Sequence, residues 1–225
     1  EEDTIFRIYS MTKPIVSVAA MMLFEEGHFQ LFNPVSEFIP EFRNLQVFKE
    51  EDPETEAWVT EKPNHPVTIH ELLTHTSGLT YGLQAAHHPV ARRYNEMQLE
   101  KDALPIDQVV EKILEQPLAF QPGRCWHYSV STDVLARVVE IISGKSIDQF
   151  LQQRLFDPLG MKDTGYFLPA EKHGRLSEIY CIANWFDHGN TPEDLEQQWR
   201  EGAVASRLVS GETHRCLEPH QAFRG

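Results

Sequence analysis

Apolar residues crowd positions 15–24 on nearly every side: Ile15, Val16, Val18, Ala19, Met21, Met22, Leu23 and Phe24. The pattern predicts a buried helix over residues 10 to about 26. Pro14 is tolerated only near a first turn, which sets the start close to Ser10, and Gly27 is the natural stop. Thr68 with Glu71 three residues on forms a capping box that opens a short helix ending before Thr76-Ser77-Gly78. Ile106, Val109, Val110, Ile113 and Leu114 keep helical spacing until Gln121-Pro122-Gly123 breaks the pattern. Val134, Leu135, Val138, Val139, Ile141 and Ile142 predict a further amphipathic helix closed by Gly144. Ser146 is expected to cap the next, running to about Phe156 with Ile147, Phe150, Leu151 and Leu155 inward. Strand patterns are sparse, residues 4–8 and 164–168 being the fair candidates. After Pro169 the pattern weakens into a polar tail with one helical candidate near 193–200. There is no internal repeat.

Composition narrows the class. The 225 residues are 41 % hydrophobic and 24 % charged, a soluble globular balance. A net charge of −14 argues against a nucleic-acid partner, since phosphate binding needs surplus Lys and Arg. Glu50, Glu51, Asp52, Glu54, Glu56 and Glu61 read as one solvated polar insert, expected to be loop. Cys125, Cys181 and Cys216 form no C-x-x-C pair, and their odd number argues against a disulfide scaffold. No apolar run approaches the ~20 residues of a membrane span. The chain opens on Glu1-Glu2 without Met, so although a cytoplasmic location is mildly favoured, the sequence leaves the compartment undetermined. Oligomeric state is equally open.

The chemistry concentrates in Ile8-Tyr9-Ser10-Met11-Thr12-Lys13-Pro14. On a helix, Ser10 and Lys13 stand one turn apart on one face, so hydroxyl and amine can meet. Both lie at the positive end of the helix dipole, which with the apolar helix body disfavours an ammonium and suits Lys13 to accept the serine proton. The backbone N–H of Ser10, in the first turn, can donate to a developing oxyanion. S-x-x-K alone is short and recurs by chance; context must carry it. Tyr128 supplies some, lying after the Gln121-Pro122-Gly123 break on a loop from which a phenol can reach a cleft.

Four segments then resemble one family in the right order: "FRIYSMTKPIVSVAAMMLFEEGHFQLFNPVSEFIPEF", "VTIHELLTHTSGLTYG", "FQPGRCWHYSVSTDVLARVVEIISG" and "LFDPLGMKDTGYF". They are similar to serine hydrolases of the β-lactamase and penicillin-binding-protein superfamily, in particular its class C-like and family VIII carboxylesterase branch. The resemblance implies an α+β, β-lactamase/transpeptidase-like fold. It implies Ser10 as the acylated nucleophile, Lys13 as the lysine that helps deprotonate it, and Tyr128 as general base and then acid. A phenolate base needs positive charge beside it, which Lys13 would supply. No metal or cofactor is implied.

Two departures refine this. The second motif often reads Tyr-x-Asn, with the asparagine binding a β-lactam's side-chain amide. Here the third position is Val130, which tilts the expectation toward a small-molecule ester rather than an amide. The third motif, a Lys/His/Trp-x-Gly strand lining the cleft, has no convincing copy before Gly225, and most flanking strands of the sheet are missing. The ending "EPHQAFRG" resembles the approach to a glycine-rich turn. The expected organisation is a hydrolase core over residues 1–170 and a polar continuation over 171–225, truncated before the third motif. Such a piece is expected to be inactive, or nearly so, when isolated from its parent.

Other features invite weaker readings. His70 and His75 stand at i and i+5, about 140° apart on a helix, not at the i, i+4 spacing of a zincin. His75 with Ser77 reads as structural punctuation, and His87-His88 as solvated histidines in a loop. Cys125 lacks a neighbouring cation. Trp126 and Val130 are candidate substrate contacts, core packing being the commoner use of such a tryptophan. The rival functions are β-lactamase or D-amino-acid peptidase activity and, from another class, a pseudoenzyme that binds acyl ligands without turnover. A purely helical interaction module is the third.

Overall fold

The computed structural model describes residues 2–52, 54–55, 57–82, 88–97 and 104–177, together with the backbone of two short strands at 180–182 and 206–208. The chain divides into two compact units, one of Glu1–Arg7 with Phe167–Leu217, the other chiefly Ile8–Tyr166.

In the larger unit, a 3-10 turn at Tyr9–Met11 leads directly into helix α1 (Thr12–Glu25). α1 buries Val16, Ala19, Ala20 and Leu23, while Val18 on another side is 45 % exposed. Helix α2 (Ile69–Leu73) is opened by the complete Thr68/Glu71 capping box. Helix α4 (Ile106–Leu114) and helix α5 (Ser131–Ser143) lie where periodicity predicts, and Gly144 ends α5 in the left-handed region at φ 68°. α5 is the organising element, packed against α1, α2, α4 and helix α6 (Ile147–Leu151). Its Val134, Leu135, Val138 and Val139 meet the α1 stripe, Ile69, Leu72, Val110 and Ile113 in one continuous core.

Several expectations need correction. The acidic insert is a hairpin of strand β1 (Val47–Glu51) and strand β2 (Trp58–Glu61), antiparallel with a bulge after Phe48. β-branched and aromatic residues outweigh the charges there: Val47 is buried, and the Phe48 and Trp58 rings meet edge to face at 5.4 Å. The Phe48 N–H also donates to the Leu118 carbonyl, tying the hairpin to the body. Asp52 turns the hairpin by accepting the Glu54 and Thr55 N–H groups, which holds its carboxyl below the ordinary range. Helix α3 (Pro89–Glu96) stands where a loop is expected, capped by the His88 ring accepting from Val90 N–H. Ser146 occupies the position before α6 but makes no side-chain cap. Glu140 takes that role, accepting the Ile147 N–H at 2.9 Å. After Leu151 the helix widens into a π turn through Phe156.

Neither expected strand forms. In the smaller unit, Ile5 makes one parallel bridge to Leu176, flanked by bonds to Arg175 and Ser177, and no strand extends from it. Residues 164–168 are bends and irregular chain. A lone strand without a partner is not stable. The strands of that unit are a third, Tyr180–Ile182, paired antiparallel with a fourth, Ser206–Leu208. The helical candidate near 193–200 and His87 lie outside the described residues. Among those described, no helix is long and apolar enough to cross a membrane.

Candidate active site

Ser10 sits in the middle of the 3-10 turn. Lys13 follows three residues on, in the first turn of α1. Tyr9, just before the serine, takes a left-handed φ of 42°, rare for a bulky residue. α1 carries no acidic residue in its first turn, so nothing there offsets the positive end of its dipole.

Tyr128 reaches this turn from a loop pinned to the segment after α2. Three backbone bonds hold it: Gly123 N–H to Thr76 O, His127 N–H to His75 O and Val130 N–H to Thr80 O. The result is a 2.6 Å hydrogen bond between Ser10 Oγ and Tyr128 Oη, across 118 residues of sequence. Lys13 Nζ lies 4.7 Å from the Tyr128 ring centroid. Lys13 is 9 % exposed and its Nζ has no hydrogen-bond partner among the described residues. A buried ammonium or amine without a partner is costly and is a common mark of a working group. Ser10 itself is exposed, and thus open to a ligand.

Aromatic rings surround the phenol. His75 stacks on Tyr128 at 5.2 Å and 29°, and Tyr81 meets it edge-on at 5.8 Å. Trp126 lies 6.4 Å from Tyr128 and is 67 % exposed, so it borders the site instead of joining the core. Val130, expected beside a substrate, is 5 % exposed and packs in the core at the start of α5. The expectation for Val130 is corrected accordingly: an apolar side chain at that boundary gains more from burial than from facing the cleft.

His75 is the residue sequence reasoning missed. Spacing suggests Ser77 as its neighbour, yet its Nδ1 lies 3.1 Å from Ser129 Oγ and its ring stacks on Tyr128. Its backbone is also left-handed, φ 55°. Burial, with the Lys13 charge nearby, pushes its pKa below the ordinary imidazole value. No local pattern announces this, because its partners are more than fifty positions away. His70 instead stacks on Phe32 at 5.2 Å. Cys125 is a free, exposed thiol.

Comparison with known proteins gives a consistent answer. A family model described as Beta-lactamase matches residues 1–209. Esterase EstB of Burkholderia gladioli is 36 % identical over 171 residues, covering 76 % of this chain and 40 % of the esterase. A lovastatin esterase of Penicillium rubens is 33 % identical over 224 residues, covering 99 % of this chain and 51 % of its own length. The solved structure of EstCE1, described as a hydrolase with promiscuous acyltransferase activity, aligns with a TM-score of 0.63 at 28 % identity, over 79 % of this chain and 43 % of that one. The chain thus spans about half, or less, of the length of the proteins it matches.

Proposed function

Because the chain belongs to the beta-lactamase family, we propose that it carries the nucleophilic centre of a serine hydrolase acting on carboxylic esters through an acyl-enzyme. The observation that carries this reading is the 2.6 Å Ser10–Tyr128 contact with Lys13 Nζ, which has no hydrogen-bond partner among the described residues, beside the phenol ring. Ser10 Oγ attacks the ester carbonyl while its proton passes to the Tyr128 oxygen, and the Lys13 charge stabilises negative charge on that oxygen in between. The backbone N–H of Ser10, in the first turn, donates to the tetrahedral oxyanion; one such donor is worth roughly 10²–10³ in rate. Collapse expels the alcohol, which takes the proton from Tyr128. Water then repeats the sequence in reverse, giving its proton to Tyr128 and releasing Ser10. An alcohol in place of water would turn the same intermediate to acyl transfer.

Esters are favoured over β-lactams or D-amino-acid peptides because curated relatives are named esterases. The chemistry needs no cofactor or metal. A fluorophosphonate added to the whole protein should form a covalent adduct on the Ser10 peptide. Labelling that survives Ser10→Ala would sink the assignment. Absence of any adduct would favour the ligand-binding pseudoenzyme. Parallel rates on a short-chain p-nitrophenyl ester and a chromogenic cephalosporin separate esterase from β-lactamase.

A further inference from the structure

The His75 ring that stacks on Tyr128 is met by a linear chain of serine hydroxyls that has no place in the reaction just described. Ser77, Ser129 and Ser131 are each fully buried. Ser77 Oγ accepts the Leu79 N–H at 3.2 Å and lies 2.7 Å from Ser131 Oγ. Ser131 Oγ lies 2.6 Å from Ser129 Oγ, which also accepts the Ser131 N–H at 3.3 Å. Ser129 Oγ ends the chain 3.1 Å from His75 Nδ1.

Each hydroxyl has one proton to place in the three links, so a proton on Nδ1 makes four and leaves one over whichever way the hydroxyls turn. If His75 Nδ1–H donated, Ser129 would donate to Ser131, Ser131 to Ser77, and the Ser77 proton would have no acceptor among the described residues. A fully buried donor left unpaired bears its whole desolvation cost. In the opposite direction every proton is used: Ser77 donates to Ser131, Ser131 to Ser129, and Ser129 to Nδ1. That direction requires Nδ1 to be bare.

We infer that the Ser77–Ser131–Ser129 chain locks His75 as its neutral Nε2–H tautomer, and that His75 in this state is the positioning residue that holds the Tyr128 phenol on Ser10. The inference rests on Tyr128 being the proton-transfer group. Three further features agree. The imidazole stacks on Tyr128 at 29°. Its left-handed φ of 55° is a strained backbone state, which persists only where the surroundings over-determine it. Protonating Nδ1 would reverse the Ser129 bond and leave one buried hydroxyl proton without an acceptor, and burial beside Lys13 opposes that charge independently. A neutral imidazole leaves Lys13 as the one cation beside the phenol among the described residues.

The decisive measurement is the ¹⁵N spectrum of the histidine rings in the whole, histidine-labelled protein. A proton on Nε2 and none on Nδ1 between about pH 6 and 8 is expected for His75. A proton on Nδ1 in that range overturns the inference. Ser129→Ala removes the donor to Nδ1 and should admit the other tautomer. It should also lower kcat on a p-nitrophenyl ester roughly tenfold while KM stays within about twofold, since a misplaced base costs rate more than binding. His75→Phe, which keeps a ring against Tyr128 but no acceptor, should lose a similar factor. A Ser129→Ala protein with wild-type kcat or an unchanged tautomer refutes the positioning role. If Ser10 takes no fluorophosphonate, the hydrolase reading fails, but the tautomer can still be read, so the two failures remain distinct.

Discussion

Replacing Gly78 by alanine should be among the most damaging small changes in this chain. Gly78 has φ 85°, and a Cβ there would stand 2.1 Å from the Phe120 carbonyl oxygen and 3.2 Å from its carbon. The left-handed backbone costs an L-residue ~1–2 kcal/mol, offset in part by the smaller freedom of the unfolded alanine. The clash is with backbone, so relief means moving residues 119–120 by about 1 Å, an overpacking penalty of ~1–3 kcal/mol. That movement stretches two bonds accepted by Gly78 O, from Ala119 N–H at 2.8 Å and from Phe120 N–H at 3.4 Å, each worth ~1 kcal/mol. The total is about 3–6 kcal/mol, a large share of the ~5–15 kcal/mol that holds a domain together. Gly144→Ala is the matched control: its φ is 68°, and nothing lies within 4 Å of the added carbon. It should cost only the backbone term, about 1 kcal/mol. Urea unfolding followed by tryptophan fluorescence measures both variants. Should Gly78→Ala fall within about 1 kcal/mol of Gly144→Ala, the close approach of the two segments is not as described. Gly78 follows Ser77 directly, so the same substitution should slow fluorophosphonate labelling of Ser10 even where the protein remains folded.

Two more outcomes follow from the site. Lys13→Met replaces a buried amine, without a hydrogen-bond partner among the described residues, by an apolar chain of similar length. It should abolish Ser10 labelling while raising stability by about 1 kcal/mol, measured by urea midpoint; a destabilised variant would mean Lys13 is structural. Burial is the leading cause that holds His75, His88 and His127 below the usual histidine pKa. Between that value and their lower native ones, the unfolded chain binds protons the native state does not, so stability falls as pH drops. Melts at about pH 7.5 and 6 should show a lower Tm at the acidic end, and a flat or rising Tm refutes it.

Much of the helical framework was legible because helix formation depends on residues three and four apart. The α1 stripe, the Thr68/Glu71 box and the Gly144 stop all involve neighbours within four positions. The hairpin at Val47–Glu51 and Trp58–Glu61 was not legible, because its charges suggested a loop while its stability comes from Val47 burial and a bond to distant Leu118. Ser146 shows the same limit: its position was right, but Glu140, seven residues from Ile147, provides the cap. Trp126 lies exposed beside Tyr128 while Val130, two residues past Tyr128, is buried, since burial at a loop end depends on how the loop is pinned.

That Ser10 and Lys13 stand one turn apart at a helix start follows from their spacing alone, since Pro14 fixes where that helix begins. Tertiary structure decided what those two residues meet. Packing α5 against α1 and α2, with three backbone bonds from the Tyr128 loop to residues 75–80, delivers a phenol oxygen to 2.6 Å from the serine. The same docking places His75 on Tyr128 and joins the serine chain to His75. Such meetings depend on the register between segments far apart in sequence, and register is set by the summed packing of a core that no local pattern records.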